Sequence, residues 1–183
     1  EFVPRRANEA APVNVVPMAA LTKGREGREM TEIGFLMDAG AVGFTDCDRI
    51  VTDTKVFSRA LTYARSLGAL VIAHPQEPIL SKGAAVTSGK FASAERMGLD
   101  RDIALVEMTG ARYHADQITT ARALPALERA KNNGLDITAG VGIHHLTLNA
   151  LDVADYRTFF KLKPPLRDEE DRIAVVDAVA SGL

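Results

Sequence analysis

The alternation of short apolar runs with segments of helical spacing constrains the fold of this chain more than any other feature. Five runs are short and apolar enough to be buried strands, and amphipathic segments separate most of them. Strands that alternate with helices are typical of a parallel sheet covered by helices. The predicted strands are VNVVPMAAL (13–21), AVGFTD (41–46), ALVIAH (69–74), ARYHADQ (111–117) and LDITAGV (135–141).

Helical spacing and end signals predict the segments between and after these strands. Asp53 is suited to begin a helix as its N-cap, and Gly68 to end it. In the last helix, Ile173, Val176 and Val179 are predicted to face inward. The predicted helices cover residues 28–40, 53–68, 99–110, 119–134 and 168–182.

Five strands and their helices fit an α/β fold, but they are too few to close a barrel. A (β/α)₈ TIM barrel needs eight strands and about 250 residues. No G-x-G-x-x-G motif follows the first strand, which weakens a dinucleotide-binding interpretation. The sequence therefore predicts either strands three to seven of a TIM barrel or an open sheet. We expect residues 1–183 to be a single partial barrel domain, cut from a longer chain.

Composition excludes several classes of partner. The net charge of −2 and the pI near 6.1 give no basic excess for binding nucleic acid or an anionic membrane. No apolar run approaches the roughly 18 residues of a membrane span, and the opening EFVPRRANEAAP lacks the pattern of a signal peptide. Cys47 is the only cysteine, so no intrachain disulfide can form. We expect a cytoplasmic protein.

Polar residues follow the ends of the predicted strands, where a barrel places its chemistry. Asp46 ends the second strand and Cys47 follows it, His74 ends the third strand and Gln117 ends the fourth. A histidine at the end of a buried strand is a candidate metal ligand. Each residue also has a structural interpretation: Asp46 suits a loop cap, and His74 suits a packed histidine bonded to a backbone carbonyl.

Spacing alone gives a weak metal signal. His144 and His145 are consecutive and point in different directions, so at most one would face a site. Gln117 is a poor zinc ligand. If Gln117 faces the barrel axis, strand alternation predicts that Ala115 does too and that His114 faces the helix layer as a structural histidine. The candidates fall short of the three or more ligands of a catalytic zinc site.

Several segments together resemble the dihydroorotase family of amidohydrolases, of the type found with aspartate transcarbamoylase. They keep the family's order over nearly all of the chain. The last segment is the most specific. The matching segments are ALTKG (20–24), GAVGFTD (40–46), IAHPQEP (72–78), HADQITTA (114–121), GIHHLTLN (142–149) and KPPLRDEEDR (163–172).

This resemblance implies a metal-dependent (β/α)₈ barrel that interconverts dihydroorotate and carbamoyl aspartate. In the family, metal-bound hydroxide attacks the amide carbon and a carboxylate on the last strand moves the proton. The resemblance also implies that the first strands, the last strand and a small β-domain lie outside residues 1–183.

The resemblance carries over to the site only in part. Asp46 matches the first acid of a Thr-Asp-Asp pattern, and Cys47 stands where the second acid, a possible metal ligand, is usual. His74 matches the ligand of the fifth strand. Gln117 replaces the ligand histidine of the sixth strand, and Lys163 replaces the asparagine before Pro-Pro. His74, Cys47 and Asp46 are therefore either metal ligands or remnants of a lost site, and no catalytic or substrate-binding residue is assigned.

Three functions remain open. The first is a catalytically impaired homologue, with no bound metal, that acts as a scaffold for aspartate transcarbamoylase in a homo-oligomer or larger complex. The second is an active zinc-dependent dihydroorotase with a rearranged site that uses His74, Cys47 and ligands outside these residues. The third is an unrelated open-sheet α/β binding protein. In the first two, residues 75–98 are expected to carry an active-site loop or an interface loop.

Overall fold

The computed structural model describes residues 2–82, 92–155 and 157–183. Short 3₁₀ helices occur at Lys23–Arg25, Ala150–Val153 and Thr158–Phe160. Within the described ranges, no helix is both long and apolar enough to cross a membrane. The regular elements are α1 (Phe2–Ala10), α2 (Ile33–Asp38), α3 (Thr54–Leu67), β1 (Leu70–Ala73), α4 (Pro78–Ser81), α5 (Ala92–Thr109), β2 (Arg112–Ala115), α6 (Leu124–Asn132), β3 (Ile137–Ala139), α7 (Ile143–Thr147) and α8 (Glu169–Ser181).

The three strands form one parallel sheet in the order β1-β2-β3. Helices connect consecutive strands, as parallel pairing requires. The predicted α/β class is therefore confirmed. The chain divides into two compact units, the first made of Glu1–Ala73 with Leu105–His114 and the second of His74–Ala104 with Ala115–Leu183. Whether residues 1–183 act as a single domain stays a prediction.

The first two predicted strands are reduced to isolated bridges. Phe44 pairs in parallel with Ala19 on one side and with Val71 on the other. The backbone of Phe44 donates to Leu70 O at 2.9 Å and accepts from Ile72 N at 2.8 Å. The prediction of a strand over 13–21 is wrong for its first half, where the valines are exposed and Pro17 has no N–H to donate.

Helix α3 in the first unit forms as its end signals predict. The Asp53 carboxylate accepts from Lys55 N at 2.8 Å and from Val56 N at 3.1 Å. Gly68 adopts the left-handed φ of 68° that ends the helix. The buried stripe consists of Phe57, Ala60, Leu61 and Ala64.

Helix α8 in the second unit turns a different face inward from the one predicted. Ile173 and Val179 are 46% and 55% exposed, whereas Val175 is only 3% exposed. Asp171 decides the face because its carboxylate accepts from Ala121 N at 2.7 Å. Val175 lies four residues after Asp171 and so points to the same side.

The polar stretch 75–98 contains more helix than the sequence predicts. Helix α4 lies within it, and α5 begins at Ala92 rather than at the predicted residue 99. Residues 83–91, on which the expected active-site or interface loop largely falls, lie outside the described residues.

Candidate functional site

Asp46, in the first unit, ties down the preceding loop. Its Oδ1 accepts from the backbone N–H groups of Leu21 at 3.0 Å and Thr22 at 2.9 Å. Its Oδ2 accepts from the Thr22 hydroxyl. The Thr22 hydroxyl oxygen in turn accepts from Gly27 N at 2.9 Å, so the buried carboxylate orders residues 21–27. This is the loop-holding role that the sequence left open beside the ligand role.

Cys47 follows Asp46 at a turn. Its φ of 57° lies in the left-handed region, which non-glycine residues rarely adopt. The Cys47 N–H donates to the Thr45 hydroxyl oxygen at 2.9 Å, and the thiol is free and exposed. The thiol therefore stands at the surface of the first unit.

His74, at the start of the second unit, is a buried imidazole that is 7% exposed. Among the described residues, neither ring nitrogen makes a hydrogen bond of good geometry, but the backbone of Asp116 lies close enough to act as a weak partner. Burial lowers the pKa of His74 below 6.5, and the nearby Glu95 and Asp116 oppose this shift only in part. The ring is therefore neutral at pH 7, which is the form that binds a metal ion.

Gln117 lies two residues beyond β2 and not on it. Within β2, Tyr113 and Ala115 are buried and His114 is more exposed, as alternation predicts. The left-handed φ of 59° at Gln117 ends that alternation, so the side of Gln117 cannot be inferred from Ala115. The Gln117 amide donates to the Asp116 carboxylate at 3.5 Å.

Only one of the two adjacent histidines on α7 is buried. His145 is 4% exposed, and its Nε2 lies 3.1 Å from the carbonyl oxygen of Pro164. Burial lowers the pKa of His145, and the positive charge of Arg167 adds to this shift. His145 thus joins α7 to the segment that begins with Lys163.

A buried ionic cluster around Glu95, which we call the Glu95 cluster, was not predicted from the sequence. Glu95 accepts from the backbone N–H groups of Thr119 and Thr120, each at 2.9 Å. It also accepts from their hydroxyls, at 2.6 Å from Thr119 and 2.8 Å from Thr120. Arg167 donates from Nε to the Thr119 hydroxyl oxygen at 2.9 Å, and its Nη2 lies 3.4 Å from Glu95 Oε2. Nothing in the sequence marks Glu95 as buried; the only available signal was Arg167 within KPPLR.

Across the described ranges, no group of three or more His, Cys, Asp or Glu side chains is placed to hold a metal ion. A catalytic zinc normally needs three protein ligands. His74 has the chemistry of a ligand, but His74, Cys47 and Asp46 do not by themselves fit a zinc site. Their assignment as metal ligands stays a prediction.

Comparison with known proteins identifies relatives along the whole chain. A family model described as dihydro-orotase-like matches residues 1–123. The dihydroorotase of Pelotomaculum thermopropionicum is 39% identical over 93% of this chain and 42% of its own length. The dihydroorotase of Anaeromyxobacter dehalogenans is 39% identical over 100% of this chain and 45% of its own. The chain thus spans less than half the length of these curated relatives.

Solved structures establish the fold. The L-hydantoinase of Arthrobacter aurescens matches 99% of this chain and 44% of its own, with a TM-score of 0.81 and 16% identity. The dihydroorotase of Saccharomyces cerevisiae in complex with 5-fluoroorotic acid matches 100% of this chain and 54% of its own, with a TM-score of 0.79 and 18% identity. The chain therefore has the fold of part of a (β/α)₈ amidohydrolase barrel, and the interpretation as an unrelated open sheet is wrong.

Proposed function

The chain belongs to the dihydro-orotase-like family, and from this premise we propose that it serves pyrimidine biosynthesis as a homologue whose metal site is degraded. In this proposal the barrel does not bind zinc. It acts in the cytoplasm as a structural partner of aspartate transcarbamoylase, in a homo-oligomer or a larger complex.

The main support for this proposal is the glutamine at position 117. The family resemblance implies a histidine ligand at this position, and a neutral amide is a poor ligand for zinc. The backbone at Gln117 is left-handed and its amide donates to the Asp116 carboxylate at 3.5 Å, so the side chain has a protein partner without a metal ion. Replacing one imidazole of a metal site by an amide removes much of the affinity for the metal.

Asp46 adds support from the first unit. Three donors from Leu21 and Thr22 already occupy its two carboxylate oxygens. The neighbouring Cys47, at the position where the family carries a second acid, is exposed at a left-handed turn. Both residues therefore have a place in the loop structure that needs no metal.

A second candidate function, an active zinc-dependent dihydroorotase, is favoured by one specific observation. His74 is buried and neutral, and among the described residues its ring nitrogens have at most a weak contact with the backbone of Asp116. Buried polar groups are rarely left unpaired, and a metal ion is one partner that would satisfy a neutral imidazole. In this alternative His74 is the anchor of a rearranged site that is completed by ligands outside residues 1–183.

Zinc analysis of the full-length protein, paired with a dihydroorotate hydrolysis assay, separates the two candidates. We expect no stoichiometric zinc and no turnover. Zinc near one equivalent per chain together with turnover would overturn the degraded-site proposal and favour the alternative. In that case His74→Ala should remove most of the zinc.

A reversion variant sharpens this test. If the loss of the imidazole at position 117 degraded the site, Gln117→His should raise the zinc affinity of the protein. Asn133→His, which adds a histidine at an exposed position after α6, is the matched control and should leave the affinity unchanged. Partnership is tested by co-purification with aspartate transcarbamoylase, and sedimentation as a free species in its presence would contradict the scaffold role.

A further inference from the structure

The first half of helix α5 touches the segments that follow all three strands of the sheet. The segment after β1 contains His74, the segment after β2 contains Thr119 and Thr120, and Arg167 lies in the stretch between β3 and α8. The contacts come from one turn of α5, Ala94–Gly98, and all of these residues belong to the second unit.

The segment after β1 lies directly on the backbone of this turn. Glu77 N donates to the carbonyl oxygen of Ala94 at 2.8 Å. A Cβ atom added at Gly98 would lie 2.3 Å from the backbone N, 2.6 Å from the Cα and 2.7 Å from the C of Gln76. No real Cβ contact is this short, and the obstructing atoms are backbone, so any side chain at position 98 must force α5 and the backbone at Gln76 apart. The absence of a side chain at Gly98 therefore sets how closely the His74 segment approaches α5.

The other two segments are held by Glu95. Its carboxylate accepts four hydrogen bonds from Thr119 and Thr120, which fixes the chain just after Gln117. Arg167 reaches the same carboxylate and the Thr119 hydroxyl, which fixes the segment that begins at Lys163. Glu95 and Arg167 are 1% and 4% exposed, so water does not compete for these bonds.

We propose that the α5 turn Ala94–Gly98 is the positioning element of the candidate site, with Gly98 positioning His74 and Glu95 positioning the segments that carry Gln117 and Lys163. Neither residue is a catalytic residue: Gly98 acts through the backbone of the His74 segment, and Glu95 acts through Thr119, Thr120 and Arg167. The inference rests on the proposed function only in that His74 and Gln117 belong to its site and that Lys163 stands at a position which the family resemblance carries over to that site. It concerns their placement, whether or not the site binds zinc.

The Gly98 part is tested by the ring signals of histidine in NMR spectra of the full-length, chelator-treated protein. The His74 signal is assigned by its loss in His74→Gln. We expect Gly98→Ala to shift or split the His74 signal and to leave the His114 signal in place. Gly34→Ala is a matched change in α2 whose added Cβ meets only side-chain ends, the Tyr63 hydroxyl at 3.3 Å and Leu67 Cδ1 at 3.7 Å, and it should leave both signals in place. An unchanged His74 signal in folded Gly98→Ala protein would overturn the role of Gly98.

The Glu95 part uses an isosteric variant that keeps the shape of the side chain. Glu95→Gln retains one acceptor oxygen and loses the charge and the second acceptor. We expect faster hydrogen exchange at the amides of Thr119 and Thr120, with the amides of α6 unchanged. Glu107→Gln, at an exposed position on the same helix, is the control. Unchanged protection at both threonines would refute the role of Glu95.

These readouts separate the inference from the proposed function. Zinc content and turnover decide whether the site is degraded. The His74 ring signal and the threonine amides, measured without metal, decide whether the α5 turn positions the site. The degraded-site proposal can therefore be refuted while the positioning role of the α5 turn holds, and the reverse is also possible.

Discussion

Arg167 and Glu95 form a buried ion pair, with Arg167 Nη2 3.4 Å from Glu95 Oε2 and both side chains almost fully excluded from solvent. The distance between Nη2 and Oε2 is long for a charge-assisted hydrogen bond. The shorter hydrogen bonds to Glu95 come from Thr119 and Thr120. Glu95 is therefore held mainly by neutral donors, and Arg167 supplies the compensating charge.

Removing the positive partner should be strongly destabilising. Arg167→Met leaves the Glu95 carboxylate buried without a compensating charge, and we expect a loss of about 3 kcal/mol in the free energy of unfolding. The measurement is urea unfolding of the full-length protein. Arg96→Met, which breaks an exposed pair with Asp100, should cost less than about 1 kcal/mol.

A double variant checks the cause. If the loss comes from an uncompensated charge, adding Glu95→Gln to Arg167→Met should recover part of the stability. Equal losses in the single and double variants would show that the packing of Arg167, and not its charge, is what matters.

Asp46 should behave as a structural carboxylate. Asp46→Ala leaves the buried N–H groups of Leu21 and Thr22 without an acceptor, and we expect a loss of about 3 kcal/mol. Asp48→Asn, at an exposed residue 3.8 Å from Arg25, is the control and should have little effect. Urea unfolding and zinc content are measured on the same samples. A fall in zinc content at unchanged stability would instead assign Asp46 to a metal site.

His145 should make the protein less stable as the pH falls. Burial lowers its folded-state pKa below the ordinary value of 6.5, so the unfolded chain binds more protons than the folded chain below that pH. The contribution of neutral His145 to the free energy of unfolding is complete above pH 6.5. It is lost as the pH falls from 6.5 to the lowered pKa of His145 in the folded protein. His74, whose pKa shifts in the same direction, adds to this loss.

The pH prediction is checked by urea midpoints at pH 7.5 and 5.5. In His145→Gln the difference between the two midpoints should be smaller than in the unmodified protein. His114→Gln, at a histidine that is not buried, is the control. An undiminished difference in His145→Gln would mean that His145 does not contribute.

Local sequence patterns predicted those elements whose start and stop signals lie at the ends of the element itself. Helix α3 lies between its predicted cap Asp53 and its predicted stop Gly68 because both act on their own neighbours in the chain. The α/β class followed from the alternation of strands and helices. The family was named from ordered motifs, and the comparisons confirm it. These conclusions needed no knowledge of distant contacts.

Tertiary contacts decided what the patterns left open. Glu95 is buried because Thr119 and Arg167, which are 24 and 72 residues away in sequence, contact its carboxylate. The periodicity of a local segment cannot predict contacts with residues so far along the chain. Asp171 rotates α8 because it bonds to Ala121, so the inward face differs from the purely apolar one. The sequence by itself determined the order of elements and the candidate residues, since these depend on neighbours. Only the tertiary structure gave the Asp46 carboxylate its donors in the loop and left His74 buried without a well-formed hydrogen bond, since those states depend on which segments meet.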